Sequence, residues 1–324
     1  MNGTDVAVVG AGIVGLSTAY ALAARGVDFR LFEGARPGAG QSAGRTRIFR
    51  HGHERPELVR LAVESRRVWE ELEQRLGMRL LGPGEQADAL PIFTPPDGVA
   101  LLDDVGGSTD VRASIDALST ATRERMVLAQ AFRIGDAERP VLETSEGTWE
   151  ADRVIVCAGA GVRELTGGLG LDIPVSVGCH ARVSFRVRGA HAGAALPSLQ
   201  DLSGAHGETV YAGPVPGGET YVVGLSGPDN EVPANHAGVD RLVRRIAGYA
   251  ERALPGLEPE PIGVRLCLTT MLPDGGDTFR IWRAGSVLVL AGDNLFKFGP
   301  LLGRMLAGAA DGEPVPEWME ARAQ

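Results

Sequence analysis

Residues 5–9, DVAVV, form a short apolar run of β-branched type that stops at Gly10. The stretch that follows, GAGIVGLSTAYALAARG, puts Val14, Ala21 and Leu22 at helical spacing and meets a stop signal at Gly26. Residues 27–33, VDFRLFE, predict the next strand, so strand, glycine turn, helix and strand complete one βαβ unit. Residues 54–76 predict a long amphipathic helix, with Pro56 near its start and Leu58, Leu61, Val68, Trp69, Leu72 and Leu76 on its inner side. Between Leu81 and Gly107 proline and glycine are dense and periodicity fades, which predicts short strands and crossings.

Residues 110–125 return to helical spacing, and 141–161 predict a hairpin feeding an apolar strand, 153–157, that ends in Ala158-Gly159-Ala160. From Pro174 to about Pro261 the texture turns to alternation: 180–187, 208–213 and 219–225 predict antiparallel strands, interrupted by a helix over 236–253. Residues 286–293 are again a fully apolar strand, followed by a helix from about Pro300 to Ala309. The expected fold class is α/β in two domains: a Rossmann-like nucleotide-binding domain with an inserted antiparallel-sheet substrate domain. The first is expected to be discontinuous, over 1–82, 108–173 and 262–324; the second takes 83–107 and 174–261.

Composition narrows the function. At 324 residues, 44% apolar and 23% charged, the chain reads as a globular protein with a large core. A formal charge of −9 argues against nucleic acid as a partner. Cys157, Cys179 and Cys267 make neither a zinc spacing nor a disulfide framework, so no metal site and a reducing compartment are expected. The first apolar run is broken by glycines within a few residues, so neither a signal peptide nor a membrane span is expected, and the expected location is cytoplasmic. Nothing in the surface pattern demands a dimer; a monomer suffices.

The chemistry begins with GAGIVG. Gly10 permits a tight turn, Gly12 lets backbone approach a pyrophosphate, and Gly15 lets helix and strand pack closely. The helix N-terminus offers N–H groups to phosphate. Glu33, closing the second strand, suits a ribose diol and repels a 2′-phosphate. The fingerprint alone does not separate FAD from NAD; the small-residue end of the later strand, Ala158 and Gly159, adds a second nucleotide-facing element.

At SAGRTRIFRH, 42–51, the chain resembles the FAD-dependent amino-acid oxidase superfamily, most closely its sarcosine oxidase and N-methyltryptophan oxidase branch, through Gly44, Thr46, Arg47, Arg50 and His51 in a Gly-x-Thr-Arg-x-x-Arg-His pattern. RLCLTTMLPDGGDTF, 265–279, is similar to the family's Cys-x-x-Thr-x-x-x-Asp segment, and DNLFKFGPLLG, 293–303, to its Phe-Lys-Phe loop. The resemblance implies an oxidoreductase with FAD as cofactor, a flavin ring near Thr46, Arg47, Gly292, Asp293 and Phe296, and Cys267 as the candidate for a covalent flavin link. It also implies that Arg50 and Lys297 bind the carboxylate of a small substrate. Lys297 is the only lysine beside 31 arginines, and the phenylalanines on both sides of it lower the local dielectric. A helix starting at Gly299-Pro300 would aim its N–H groups at the negative edge of a reduced flavin.

The chain departs from the branch at one telling place: Val222 stands where relatives keep a lysine that helps pass electrons to oxygen. Two activities follow. One is an amine or amino-acid oxidase that uses oxygen, passing hydride from substrate to flavin N5. The other is a flavin-dependent reductase or dehydrogenase tailoring a specialised metabolite with NAD(P)H or another electron partner.

Overall fold

The computed structural model describes residues 2–82, 92–93, 103, 105–193, 195–226, 231–232 and 238–321. The opening run is the inner half of β1 (Asn2–Val9): Val6 to Val9 are buried, while Asn2 and Gly3 are exposed. α1 (Ile13–Ala24) follows at once, apolar on most sides because it packs on several neighbours. β2 (Phe29–Glu33) returns parallel to β1, with Val6 opposite Phe29 and Val9 opposite Phe32. The predicted strand over 27–33 thus starts two residues late, since Val27 still closes the helix turn through its bond to Leu22.

β5 (Met126–Leu128), β8 (Gly147–Val156), β15 (Phe279–Ala284) and β16 (Val287–Gly292) complete the main path of this sheet, in the order β15-β16-β8-β1-β2-β5. All contacts along it are parallel except that of the edge strand β15 with β16. Every residue of β16 is buried, as expected for a parallel strand covered on both faces. The predicted hairpin is present as β7 (Val141–Thr144) running antiparallel to the start of β8, and β6 (Ala131–Gly135) pairs antiparallel with β7 as well.

A small ribbon pairs β3 (Thr46–Phe49) with β4 (Gly107–Asp110). Asp110 then caps α3 (Val111–Thr122) by accepting from the Ala113 N–H at 3.0 Å. α2 (Pro56–Leu76) carries proline in its first turn, and Gly77 ends it at φ 65°. Its Leu58, Leu61, Val68, Trp69 and Leu72 are buried, as the sequence predicts, whereas Leu76 is only partly so.

β9 (Ser176–Val187) organises the second sheet, which is antiparallel throughout. It pairs with β12 (Thr220–Leu225), β13 (Glu231–Val232) and β14 (Leu257–Met271); β10 (Leu199–Asp201) and β11 (Val210–Pro214) extend the β12 side. α5 (Val239–Ala253) covers it, burying Ile246 and Tyr249 against Phe185 and Tyr221. Ile92 and Phe93 join the same core; most of the expected 83–107 segment lies outside the described residues. One expected boundary is corrected: β14 runs across the 261/262 division, so residues 262–271 belong to the antiparallel sheet. Pro261 marks a register irregularity inside that strand rather than its end. α4 (Val162–Thr166) follows the small-residue end of β8.

α6 (Gly299–Ala310) lies directly on α1. A Cβ on Gly299 would stand 2.5 Å from Ile13, and one on Gly303 2.5 Å from the Ser17 backbone, so only glycine permits this approach. The approach brings the short 3-10 turn Phe296–Phe298 beside the fingerprint helix. α2 fixes that turn from the other side, where Trp69 Nε1 and Ser65 Oγ both donate to the Lys297 carbonyl, at 2.7 and 2.6 Å. Burial of an aromatic side chain such as Trp69 contributes about 3 kcal/mol. The lone lysine is therefore held by its backbone.

Candidate active site

The carboxyl ends of β1, β8 and β16 open, with the inner faces of β11, β12 and β14, onto a cleft of about 1240 Å³. This is above the roughly 300–1,000 Å³ of an ordinary small-molecule pocket, room for a dinucleotide and a second molecule. Six of the nine buried side-chain polar atoms that lack a hydrogen-bond partner among the described residues belong to side chains lining it: Thr46, His53, His180, Arg182, Ser226 and Thr269. Such atoms are rare in a finished interior. Their concentration around the cleft marks it as built for a polar ligand.

At the nucleotide end Gly10 adopts φ +99°, and a Cβ there would lie 2.5 Å from the Cys157 carbonyl oxygen. Gly15 is tighter: its Cβ would stand 1.8 Å from the Gly10 carbonyl oxygen. Gly12 differs, since only Ser42 Oγ would come near, at 3.2 Å, and the remaining space belongs to the cleft. Ser42 caps α1 by accepting from the Ile13 N–H at 2.9 Å. Glu33 accepts from the N–H groups of Ala11 and Ala35, at 2.8 and 2.9 Å, which fixes its carboxylate at the rim. Glycine turn, helix N-terminus and rim carboxylate together form a cradle that fits the ADP half of FAD.

Of the residues expected from sequence, Gly10, Gly12, Glu33, Thr46, Arg47, Arg50, Ala158, Gly159, Gly292, Asp293, Phe296 and Lys297 all line this one cleft. Gly15 lies behind it, in its packing role. Cys267 is buried, its Sγ 3.8 Å from the Ala43 carbonyl oxygen, and it stands opposite His180 in the β9–β14 register, on the face that carries Arg182.

Arg50 and Lys297 are brought together, but around a carboxylate of the chain itself. Asp277 Oδ2 accepts from Arg50 Nη2 at 2.7 Å, lies 2.8 Å from His53 Nδ1 and 3.7 Å from Lys297 Nζ, while Asn294 donates to Oδ1. Burial would raise the Asp277 carboxyl, yet Lys297, His53 and Arg50 overcome this and hold it far below the usual carboxylate range. Burial also lowers Lys297 to about 8, with Asp277 drawing it back up and Arg50 pushing it down. His53 is lowered too, first by burial. It is neutral at pH 7, with Nδ1–H assigned toward Asp277 and Nε2 left bare. Lys297 Nζ holds Asp277 only loosely, at 3.7 Å, and stands 4.7 Å over the Phe298 ring.

A second cationic group lies on the same cleft. Arg47 donates to the carbonyls of Thr46, Gln41 and Ala43 and stacks 5.8 Å over Phe296. Burial and the neighbouring Arg182 push its pKa down to about 9, which still leaves it charged at neutral pH. Sequence reasoning missed Arg182, Asp277, His53 and Ser42. Asp274, the residue at the family's Asp position, instead pairs with Arg280 at an exposed site.

The sequence matches the DAO family, described as FAD dependent oxidoreductase, over residues 5–124 and 75–309. Human peroxisomal sarcosine oxidase is 23% identical over 367 residues, covering 93% of this chain and 90% of its own. Monomeric sarcosine oxidase of Bacillus sp. (strain B-0618) is 30% identical over 218 residues, 53% of this chain and 55% of the relative. Among solved structures, the open form of the Tyr258Phe mutant of NikD, an unusual amino acid oxidase essential for nikkomycin biosynthesis, superposes with a TM-score of 0.82 at 22% identity, covering 99% of this chain and 97% of that one. L-proline dehydrogenase from P. horikoshii gives 0.81 at 17% identity, covering 98% and 97%. These structures share the fold.

Proposed function

The chain belongs to the DAO family of FAD-dependent oxidoreductases, and from that premise we propose that it oxidises a small amine or amino acid carrying one carboxylate. When bound, FAD supplies the hydride acceptor, at N5 of its ring. The observation that carries the reading is Lys297. With Arg50 and Lys297 positive, Asp277 negative and His53 neutral, these four groups keep one positive charge, on an ammonium 3.7 Å from Asp277 that is also acted on by Asp293, whose carboxyl burial raises. A substrate carboxylate is complementary to that charge. Sarcosine and N-methyl-L-tryptophan, named for two relatives, each join a carboxylate to a secondary amine through one carbon. The bare Nε2 of His53 is suited to take the ammonium proton of such a substrate, which must leave before the nitrogen lone pair can assist C–H cleavage.

The test is a titration of the FAD-loaded protein with a small monocarboxylate, read from the flavin absorbance at a series of pH values. Lys297 is protonated below about 8 and loses its charge above it. Affinity is therefore expected to be level below pH 8 and to fall towards tenfold per pH unit above it. A constant affinity through pH 9.5 removes Lys297 from the anion site.

Val222 favours a second reading, that of a reductase or dehydrogenase: NAD(P)H would supply the hydride for reduction of a substrate, or an acceptor other than oxygen would take the electrons from a substrate's oxidation. Slow reoxidation in air-saturated buffer supports that reading; fast reoxidation with peroxide release supports the oxidase. Attachment of the flavin through Cys267 is part of the proposal, supported by the place of Cys267 opposite His180 in the β9–β14 register, on the face that carries Arg182.

A further inference from the structure

Arg182, on β9, lines the cleft and makes no close ion pair among the described residues, although Asp293 acts on it at longer range. Among the described residues its one acceptor is Tyr211 Oη, 3.3 Å from Nε, and its guanidinium lies 5.6 Å from the Tyr211 ring centroid. Nη1 is sealed from solvent with no hydrogen-bond partner, and no ion pair of Arg182 occurs among the described residues. Its neighbour Arg47 also makes no close ion pair among the described residues, its donors being spent on backbone carbonyls while Asp293 acts on it at longer range. In the Asp277 cluster, by contrast, a carboxylate of the chain stands in direct contact with the cations. Two partly buried guanidiniums that share only the more distant Asp293 are costly, and an anion in the cleft would offset that cost.

Register gives the direction. Val222 of β12 stands opposite Ser184 of β9, so Arg182, two residues along, shares its face of the sheet. The residue that carries no charge at 222 thus has a cation as its diagonal neighbour.

We infer that Arg182 is the residue that supplies positive charge to the flavin ring from the antiparallel-sheet side of the cleft, favouring the negatively charged reduced form. The inference rests on the proposed function and on the expectation that the flavin ring lies near Arg47, Asp293 and Phe296. Reduction by hydride adds two electrons and one proton, which leaves one net negative charge for the protein to hold. A substrate carboxylate offers similar chemistry, so the test must separate the two.

The experiment uses FAD-loaded wild type, Arg182→Met and Arg182→Lys, each first checked for flavin content. Each is equilibrated with dithionite against a reference dye. At a fixed dye ratio, the reduced-to-oxidised flavin ratio is expected to fall about tenfold in Arg182→Met, equivalent to about 30 mV for a two-electron couple. Arg182→Lys should recover most of it, and monocarboxylate affinity should stay within about twofold of wild type in both variants. An unchanged ratio in Arg182→Met overturns the inference. Loss of carboxylate affinity with an unchanged ratio also overturns it and makes Arg182 a substrate anchor. If wild type itself takes up no FAD, the reading of the cleft fails first, and the inference with it.

Discussion

Gly15→Ala is expected to yield a protein that is unstable and carries no flavin. The added Cβ would stand 1.8 Å from the Gly10 carbonyl oxygen, 3.0 Å from its carbon and 3.4 Å from Cys157 Cβ. Two of these three atoms are backbone, so no side-chain rotation relieves the clash. α1 must move off the turn and take its N–H groups away from the phosphate position. Overpacking of this kind costs about 3 kcal/mol or more, and the displaced helix end removes binding as well. Gly12→Ala provides the contrast. Its Cβ meets only Ser42 Oγ, at 3.2 Å, so the fold should survive while flavin content drops. Flavin absorbance per chain, with a thermal melt by circular dichroism, separates the two. Equal behaviour of the two variants contradicts the division of labour proposed for these glycines.

The second large effect is expected at Asp277. Asp277→Ala leaves Arg50, His53 and Lys297 without their common acceptor. Breaking a buried ion pair by removing one partner costs about 3 kcal/mol at the low end of the usual range, and the low end applies because Arg50 keeps some contact with water. Losing Asp277 also removes the strongest influence that raises the Lys297 pKa, so Lys297 should titrate below its present value of about 8. Added acetate should bind this variant more tightly than wild type and restore much of its melting temperature, since it replaces the missing carboxylate. A variant that melts like wild type and ignores acetate would mean that Asp277 does not balance the cluster.

The nucleotide end of this site was legible because its signals are local. Gly10, Gly12 and Gly15 lie within six residues, and the hydrophobic period changes from strand to helix at the turn. The long apolar faces of α2 and β16 were legible for the same reason. Asp277 was not, because PDGGDT reads as a solvent turn, and its partners Arg50 and His53 lie more than 220 positions earlier in the chain. Arg182 was hidden differently. In HARVSFRV it occupies an alternating polar position, and alternation says that it points away from the core without saying that a cleft lies on that side. The boundary at Pro261 misled because proline usually ends a central strand, whereas β14 absorbs it in a register shift.

The most direct test of the whole account is the visible spectrum of the purified protein, before and after acid precipitation. The account predicts a yellow protein with one FAD per chain, and colour that stays with the precipitate through Cys267. Colour released on precipitation would remove the Cys267 link alone. A colourless chain that takes up no FAD on reconstitution would contradict the central claim that this cleft holds the flavin.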